Sequence, residues 1–155
     1  STVVHGWYYY WKSTHLPQLR DDLIDVIAEH AFSCSSPRSY VAMFHLKGAV
    51  SRVAEGATAF GNRQASHAIT LDGVWRPGED FGDRDIAWAR EFFAALGRFR
   101  EGVYVNFLGG DEDPDRVREA YGDSVYDRLA DVKTTYDPAN VFHHNQNIRL
   151  RSASA

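Results

Sequence analysis

Amide side chains are concentrated in two short segments in the last third of the 155-residue chain. The first segment reads Y-V-N-F and contains Tyr104, Asn106 and Phe107, and the second reads N-Q-N-I and contains Asn145 and Asn147. Because an amide both donates and accepts hydrogen bonds, such side chains can hold the polar edge of a flat ring. The alternative is that these amides tie the end of the chain to the edge of a sheet through backbone hydrogen bonds.

A possible proton acceptor lies in the middle of the chain. Asp72 is the only carboxylate within a predicted strand over 67–75, and Thr70, two residues earlier, projects from the same face of that strand. A carboxylate on a sheet lined with aromatic residues has a raised pKa and can act as a general base. Asp72 could instead be an edge-strand charge that faces solvent. Tyr10 is a second candidate acceptor that ordinary strand packing also explains, and His45 is interpreted as a core histidine.

The elements that position these residues can be predicted from local patterns. Aromatic and β-branched runs predict strands, whereas apolar residues three or four apart predict helices. The patterns predict a strand over 6–13, a helix over 17–31, strands over 39–46 and 67–75, a helix over 84–98 and a strand over 102–108. Residues 49–53 are a candidate for one more short strand. Two helical patterns follow at 114–121 and 124–135.

This order of elements predicts an α+β fold. Strand, helix, two strands, helix and strand match the ferredoxin-like split βαβ arrangement, a four-stranded antiparallel sheet with helices on one face. We expect this unit to span 6–108, a helical C-terminal extension over 109–148 to pack on it, and 149–155 to be a frayed tail. The other sheet face is rich in aromatic residues, and large bare apolar patches mark interfaces. The tail, a second copy or another domain must therefore cover it.

Composition excludes several classes of partner. The net charge is −4 and no long basic run occurs, so neither nucleic acid nor an anionic membrane is expected as a partner. No apolar stretch approaches the ~20 residues that span a bilayer. Cys34 is the only cysteine, which rules out an internal disulfide and is compatible with a cytoplasmic location. The aromatic content of 14% fits either a core built on rings or a pocket for an aromatic ligand.

Metal and hydrolase sites have little support in the sequence. Asp111, Asp113 and Asp115 alternate like the start of a calcium loop, but Pro114 intervenes and the glycine that such a loop requires is missing. The adjacent pair at 143–144 lacks a further histidine or cysteine at ligand spacing. We therefore predict no metal site, and the lack of a G-x-S-x-G motif gives no support to hydrolysis by a serine nucleophile.

The two amide segments together resemble a known family. Y-x-N-[YF], about 30 further residues and then Y-D-P-x-N-x-F-x-x-N-Q-N-I are similar to the C-terminal segment of berberine bridge enzyme-like oxidoreductases. These are flavin-linked oxidases of the vanillyl-alcohol oxidase type. The likeness extends upstream through 9–13, 46–53 and 57–60 to the second half of the substrate domain, so that it covers 6–148.

The resemblance implies roles for individual residues. It places Tyr104, Asn106, Asn145 and Asn147 against FAD. Alignment on Trp75 puts Thr70 where other members carry a glutamate or glutamine that faces the substrate, and we assign Trp75 itself to substrate binding. The last residue of the first motif is often a catalytic tyrosine but is Phe107 here, which we also assign to substrate binding. Because phenylalanine cannot accept a proton, the acceptor must be Asp72, Tyr10 or a group on another domain.

The function expected from this resemblance is that of the C-terminal substrate-binding portion of an FAD-dependent oxidoreductase acting on a small molecule. Members of the family carry an N-terminal FAD-binding domain, for which this sequence shows no motif. We therefore expect FAD to bind only together with that domain and the chain alone to be inactive. The alternative is a cofactor-free module that binds a small ligand, or forms a homodimer, through the bare sheet face.

Overall fold

The computed structural model describes residues 3–111, 113, 115–144 and 146–151. Three strands form one antiparallel sheet in which β3 lies between the other two: β1 (Tyr8–Leu16), β2 (Tyr40–His45) and β3 (His67–Trp75). The helices are α1 (Asp21–His30), α2 (Ala49–Arg52), α3 (Gly82–Ala95), α4 (Asp115–Tyr121) and α5 (Asp123–Tyr136). The α+β class is confirmed, and β3 has the predicted bounds.

The main core lies between one face of the sheet and helices α1 and α3. Leu16, Ile69 and Leu71 project from the strands onto Leu23 of α1 and Phe92 of α3, and all five side chains are almost fully buried. Complete burial of one such side chain contributes roughly 1.5–3 kcal/mol. This packing confirms that the helices lie on one face, which leaves the second face of the sheet for other segments.

The predicted fourth strand over 102–108 is wrong for the described residues. This segment runs beside the free edge of β1, but only His15 exchanges backbone hydrogen bonds with it, through Glu101 and Gly102 at 3.0 Å each. Gly102 has a φ of +71°, and a Cβ there would lie 2.3 Å from the side chain of Asn62. The chain turns at this residue and forms a 3₁₀ helix over Val105–Phe107 instead of a ladder. The four-stranded split βαβ arrangement is therefore not confirmed.

Two other predictions about the strands were also wrong. β1 does not end at Ser13 but continues to Leu16, and residues 12–16 are all buried because both faces of the sheet are covered there. Thr14, which lies beyond the end of the predicted strand, is buried in β1 and donates from Oγ1 to the carbonyl of Gly102 at 2.9 Å. Residues 49–53 do not form a strand, because Ala49–Arg52 is the short helix α2.

Asp85, in the first turn of α3, holds a neighbouring loop. Its carboxylate is fully buried and accepts hydrogen bonds from the backbone N–H groups of Ser35 and Ser36 at 2.7 and 3.1 Å and from the hydroxyl of Ser39. The carboxylate therefore fixes the loop that leads into β2.

Helices α4 and α5 follow residue 108 and lie beside the edge of β1. Val103 and Leu108 form a small second core with Ala120 of α4. The Arg116 guanidinium donates to the carbonyl of Ser13 at 2.9 Å. Within 149–151, the backbone N–H of Arg149 donates to the Tyr126 hydroxyl of α5 at 3.1 Å; residues 152–155 lie outside the described residues. No described helix has both the length and the apolar composition needed to cross a bilayer.

Candidate functional site

A cleft of about 840 Å³ lies where β1, the 3₁₀ turn, α4 and the end of the chain meet. Its volume is within the usual range for ligand pockets. The lining residues are Trp11, Val105, Asn106, Leu108, Gly109, Gly110, Asp113, Val117, Tyr121, His144, Gln146, Asn147 and Arg149. Residues from both amide segments therefore line the same cleft.

The four residues predicted to contact a cofactor have different positions. Asn106 and Asn147 line the cleft. Tyr104 instead lines an adjoining cavity of about 240 Å³, to which Asn106 also contributes. Asn145 lies outside the described residues.

Hydrogen bonds distinguish the amides that support the structure from those that face the cleft. Gln146 donates from Nε2 to the carbonyl of Leu108 at 2.8 Å, so this amide ties the end of the chain to the turn. Asn106 is exposed and donates from Nδ2 to the Tyr104 hydroxyl at 2.7 Å. Asn147 has a buried Oδ1 for which the described residues supply no hydrogen-bond donor. The alternative, that the amides hold the end of the chain through backbone hydrogen bonds, thus explains Gln146. It does not explain Asn147, whose side-chain carbonyl is left for another partner.

The indole of Trp11 fixes the turn that separates the two cavities. Its Nε1 donates to the carbonyl of Phe107 at 2.8 Å, from the middle of β1. This bond joins the sheet face to the first amide motif.

Aromatic rings continue from this turn across the second face of the sheet. Phe107 lies edge-on to Tyr104, with ring centroids 5.3 Å apart, and 6.0 Å from the ring of Phe44 on β2. Tyr104 in turn contacts Phe60, with centroids 5.6 Å apart. Spacings of 4.5–7 Å are typical of favourable aromatic pairs. Together Phe44, Phe60, Tyr104 and Phe107 form an aromatic wall beside the cleft.

Thr70 and Asp72 lie together on this second face. Strand register places Thr70 opposite Ser13 and Asp72 opposite Trp11. Thr70 donates from Oγ1 to Oδ2 of Asp72 at 2.6 Å. Burial raises the pKa of Asp72, and the hydrogen bond from Thr70 offsets part of that increase. Both the shared face and the raised pKa agree with the expectation from sequence.

Tyr10 and Trp75 lie on the opposite face, which the helices cover. The Tyr10 hydroxyl donates to Oδ2 of Asp111 at 2.8 Å and accepts from Nε of Arg90 at 2.9 Å, and burial raises the pKa of Tyr10. Trp75 packs against Tyr8, with ring centroids 6.0 Å apart, at the start of α3. The structure therefore brings neither residue to Thr70 and Asp72, because neighbouring strand positions alternate between faces.

Sequence reasoning missed three residues of β1 on the second face: Trp11, Ser13 and His15. His15 is fully buried, and burial lowers its pKa to about 4, so its ring is neutral at pH 7. Neither ring nitrogen of His15 nor the hydroxyl of Ser13 has a hydrogen-bond partner within the described part of the chain. Continued alternation at positions 11, 13 and 15 was the available signal, but the predicted strand ended at residue 13.

No group of three or more histidine, cysteine, aspartate or glutamate side chains in residues 3–111, 113, 115–144 and 146–151 could hold a metal ion.

Comparison with known proteins shows the relationships of the chain. Residues 103–149 match the family described as berberine and berberine like. The FAD-linked oxidoreductase OXR1 of Pyricularia oryzae is 40% identical over 101 residues, which cover 59% of this chain and 19% of that protein. Aclacinomycin-N/aclacinomycin-A oxidase of Streptomyces galilaeus is 30% identical over 131 residues, covering 70% of this chain and 23% of that protein.

The fold is also similar to that of a solved structure. The structure of berberine bridge enzyme from Eschscholzia californica has a TM-score of 0.78 at 20% identity, and the match covers 95% of this chain and 34% of that one. The chain spans about a fifth of the length of the curated relatives and about a third of the solved structure. From its matched motif region, its sequence relatives and its fold, the chain corresponds to a part of the berberine bridge enzyme-like FAD-linked oxidoreductases.

Proposed function

We propose that this chain is the C-terminal substrate-binding portion of an FAD-dependent oxidase of the berberine bridge enzyme-like type. The observation that carries the proposal is the cleft that residues of both amide motifs line. It lies beside an aromatic sheet face on which Thr70 is hydrogen-bonded to the carboxylate of Asp72.

The residues in the cleft fit an isoalloxazine ring. The pyrimidine edge of that ring carries both N–H donors and carbonyl acceptors, and an amide side chain can satisfy either kind. The buried Oδ1 of Asn147, which no described residue satisfies, is an acceptor that matches a ring N–H. Asn106 and Tyr104 offer further polar groups beside it. These residues would hold the ring, and other parts of FAD would bind elsewhere.

FAD, when bound, would supply the acceptor for the hydride that leaves the substrate carbon. The chain's own contribution is to position the substrate and to accept its proton. Asp72 is the group for the second task, because its pKa is raised by burial and its Oδ2 is oriented by Thr70. Tyr10 faces the helices and is bonded to Asp111 and Arg90, so we do not assign it a part in proton transfer.

The aromatic wall indicates the kind of substrate. Phe44 and Phe107 present ring surfaces on the same face as Asp72, and Phe44 is 46% exposed. A substrate with a cyclic, largely apolar skeleton and a hydroxyl or amine would stack on these rings while it hydrogen-bonds to the carboxylate. Burial of the rings by the substrate would also keep water from Asp72.

We further propose that an FAD-binding domain covers the surface around the end of α5. Tyr136, Val141 and Phe142 are 83%, 64% and 81% exposed there, and clustered exposed apolar side chains mark contact surfaces. Sedimentation velocity on the chain alone distinguishes this proposal from a homodimer module. A monomer agrees with a surface that binds a separate FAD-binding domain, whereas a stable dimer favours the module that pairs through the bare sheet face.

Titration with riboflavin, which carries the ring without phosphates, tests the proposed function. Saturable quenching of flavin fluorescence is expected, and Asn147→Leu should weaken binding about tenfold, the value of one hydrogen bond of ~1.4 kcal/mol. Gln18 is an exposed amide that does not line the cleft, so Gln18→Leu is the matched control and should bind like the unaltered chain. Riboflavin that fails to saturate, or that binds Asn147→Leu with unchanged affinity, contradicts the proposal.

A further inference from the structure

We propose that His45 and His67 form a binding site for a divalent transition-metal ion of the class that imidazole prefers, Cu²⁺, Ni²⁺ or Zn²⁺. The two histidines lie on neighbouring strands at the end of the sheet where β1 finishes. His67 and Asp72 are five positions apart on β3 and so project from opposite faces. This site is therefore independent of the proposed flavin site.

The geometry of the pair suits chelation of one ion. His45 and His67 are direct cross-strand partners, and their ring centroids are 5.1 Å apart with an angle of 56° between the ring planes. Two imidazoles that bind one tetrahedral ion at a metal–nitrogen distance of about 2.0–2.1 Å have centroids about 5 Å apart. The strands thus hold the rings at the separation that a shared ion requires, without rearrangement of the backbone.

Ser66 contacts one ring nitrogen of His67 and leaves the other available. The Ser66 oxygen lies 2.9 Å from Nδ1 of His67 and 3.2 Å from the carbonyl of Leu16. In the tautomer whose Nδ1–H donates to Ser66, the lone pair of the ring lies on Nε2. Orientation of a ligand histidine by a hydrogen bond to its other nitrogen is the usual arrangement around protein-bound metals.

A nearby cation and the small number of protein ligands limit the strength of binding. Lys47 is the cation closest in sequence, and its Nζ donates to the carbonyl of Gln64 at 2.8 Å. Because the described residues offer no third protein ligand, water would complete the coordination shell. The bound ion would link the edge strand β2 to the central strand β3.

The test is calorimetric titration of NiCl₂ into tag-free, chelator-treated chain at pH 7.5. One equivalent of Ni²⁺ should bind, and the ion should raise the thermal unfolding midpoint. His45→Gln and His67→Gln should each weaken binding at least about tenfold, because each removes one of two ligands. The double variant His143→Gln/His144→Gln is the matched control, since it removes the other histidine pair in contact, and it should bind like the unaltered chain.

A second measurement on the unaltered chain does not depend on how the variants fold. Substoichiometric Cu²⁺ should broaden the ring C–H signals of His45 and His67 in the NMR spectrum before those of the other five histidines. Absence of saturable Ni²⁺ binding, unchanged binding in a folded His45→Gln or His67→Gln variant, or earlier broadening of His143 and His144 would overturn the proposal.

Discussion

Asp111 holds the start of the amide-bearing extension against the sheet, and its replacement gives a quantitative test. Its carboxylate accepts hydrogen bonds from Nζ of Lys12 at 2.9 Å, from the Tyr10 hydroxyl at 2.8 Å and from Arg90 at 3.1 Å. Lys12 is only 7% exposed. Asp111→Asn keeps the size of the side chain but removes the negative charge that faces Lys12 and Arg90.

The pKa of Asp111 sets the magnitude of the effect. Burial alone would raise this pKa, but hydrogen bonds from Lys12, Tyr10 and Arg90 outweigh burial and lower the pKa from 3.8 to about 2. Such a decrease corresponds to about 2.4 kcal/mol. The Asp111 side chain is 37% exposed, so solvent screening reduces the expected loss of unfolding free energy to about 1 kcal/mol.

The sign of the pH dependence follows from the lowered pKa. A carboxylate whose pKa is lower in the folded state stabilises the fold above its unfolded pKa near 3.8, and this stabilisation is lost as the pH falls towards 2. Urea unfolding monitored by tryptophan fluorescence should show the full difference at pH 7 and about half of it at pH 3. Asp131→Asn, in an exposed pair with Arg151, is the control and should cost less than about 0.5 kcal/mol. If Asp111→Asn leaves the free energy of unfolding unchanged at pH 7, or lowers it equally at pH 7 and pH 3, this reasoning is refuted.

Three further substitutions test other parts of the account by urea unfolding. Asp72→Asn should stabilise the chain at pH 8 but not at pH 4. The reason is that the pKa of Asp72 is raised in the folded state, so that its charged form destabilises the fold above the ordinary pKa of an aspartate. The account fails if the substitution changes the free energy of unfolding equally at both pH values. Asp85→Ala should cost about 3 kcal/mol or more, since three donors lose a buried acceptor, and a cost below 1 kcal/mol would show that the loop does not depend on it. Gly102→Ala should cost about 2 kcal/mol or more through its positive φ and its clash with Asn62. Asn62→Ala combined with Gly102→Ala should recover part of that loss. If it recovers none, the whole effect is due to the positive φ of residue 102.

Local patterns were sufficient for elements whose signals lie within one short window. β3 alternates side chains along 67–75, and α5 repeats apolar residues at helical spacing, so both were predicted with nearly the observed bounds. β1 was predicted too short because Thr14 to Pro17 has turn-like composition. Burial on both faces keeps those residues in the strand, and this burial depends on segments more than 40 positions away.

Other features depend on contacts that local sequence does not contain. The strand predicted over 102–108 was wrong because the chain turns at Gly102, whose φ is +71°, and forms the 3₁₀ helix Val105–Phe107. Tyr10 and Asp72 were both plausible proton acceptors until the strand register placed them on opposite faces. His45 was interpreted as a core residue, whereas it is exposed on an edge strand beside His67, 22 positions away in sequence.

The central claim is that the amides near the end of the chain contact a ring supplied from outside it. The most direct measurement is a ¹⁵N NMR titration of the chain with riboflavin, observing the side-chain NH₂ signals of Asn106 and Asn147 and the indole N–H of Trp11. The account predicts that these signals shift together and saturate, while the amide of Gln18 does not move. Shifts confined to the helix-covered face around Tyr10 and Trp75, or no shift in the two asparagines, would contradict it.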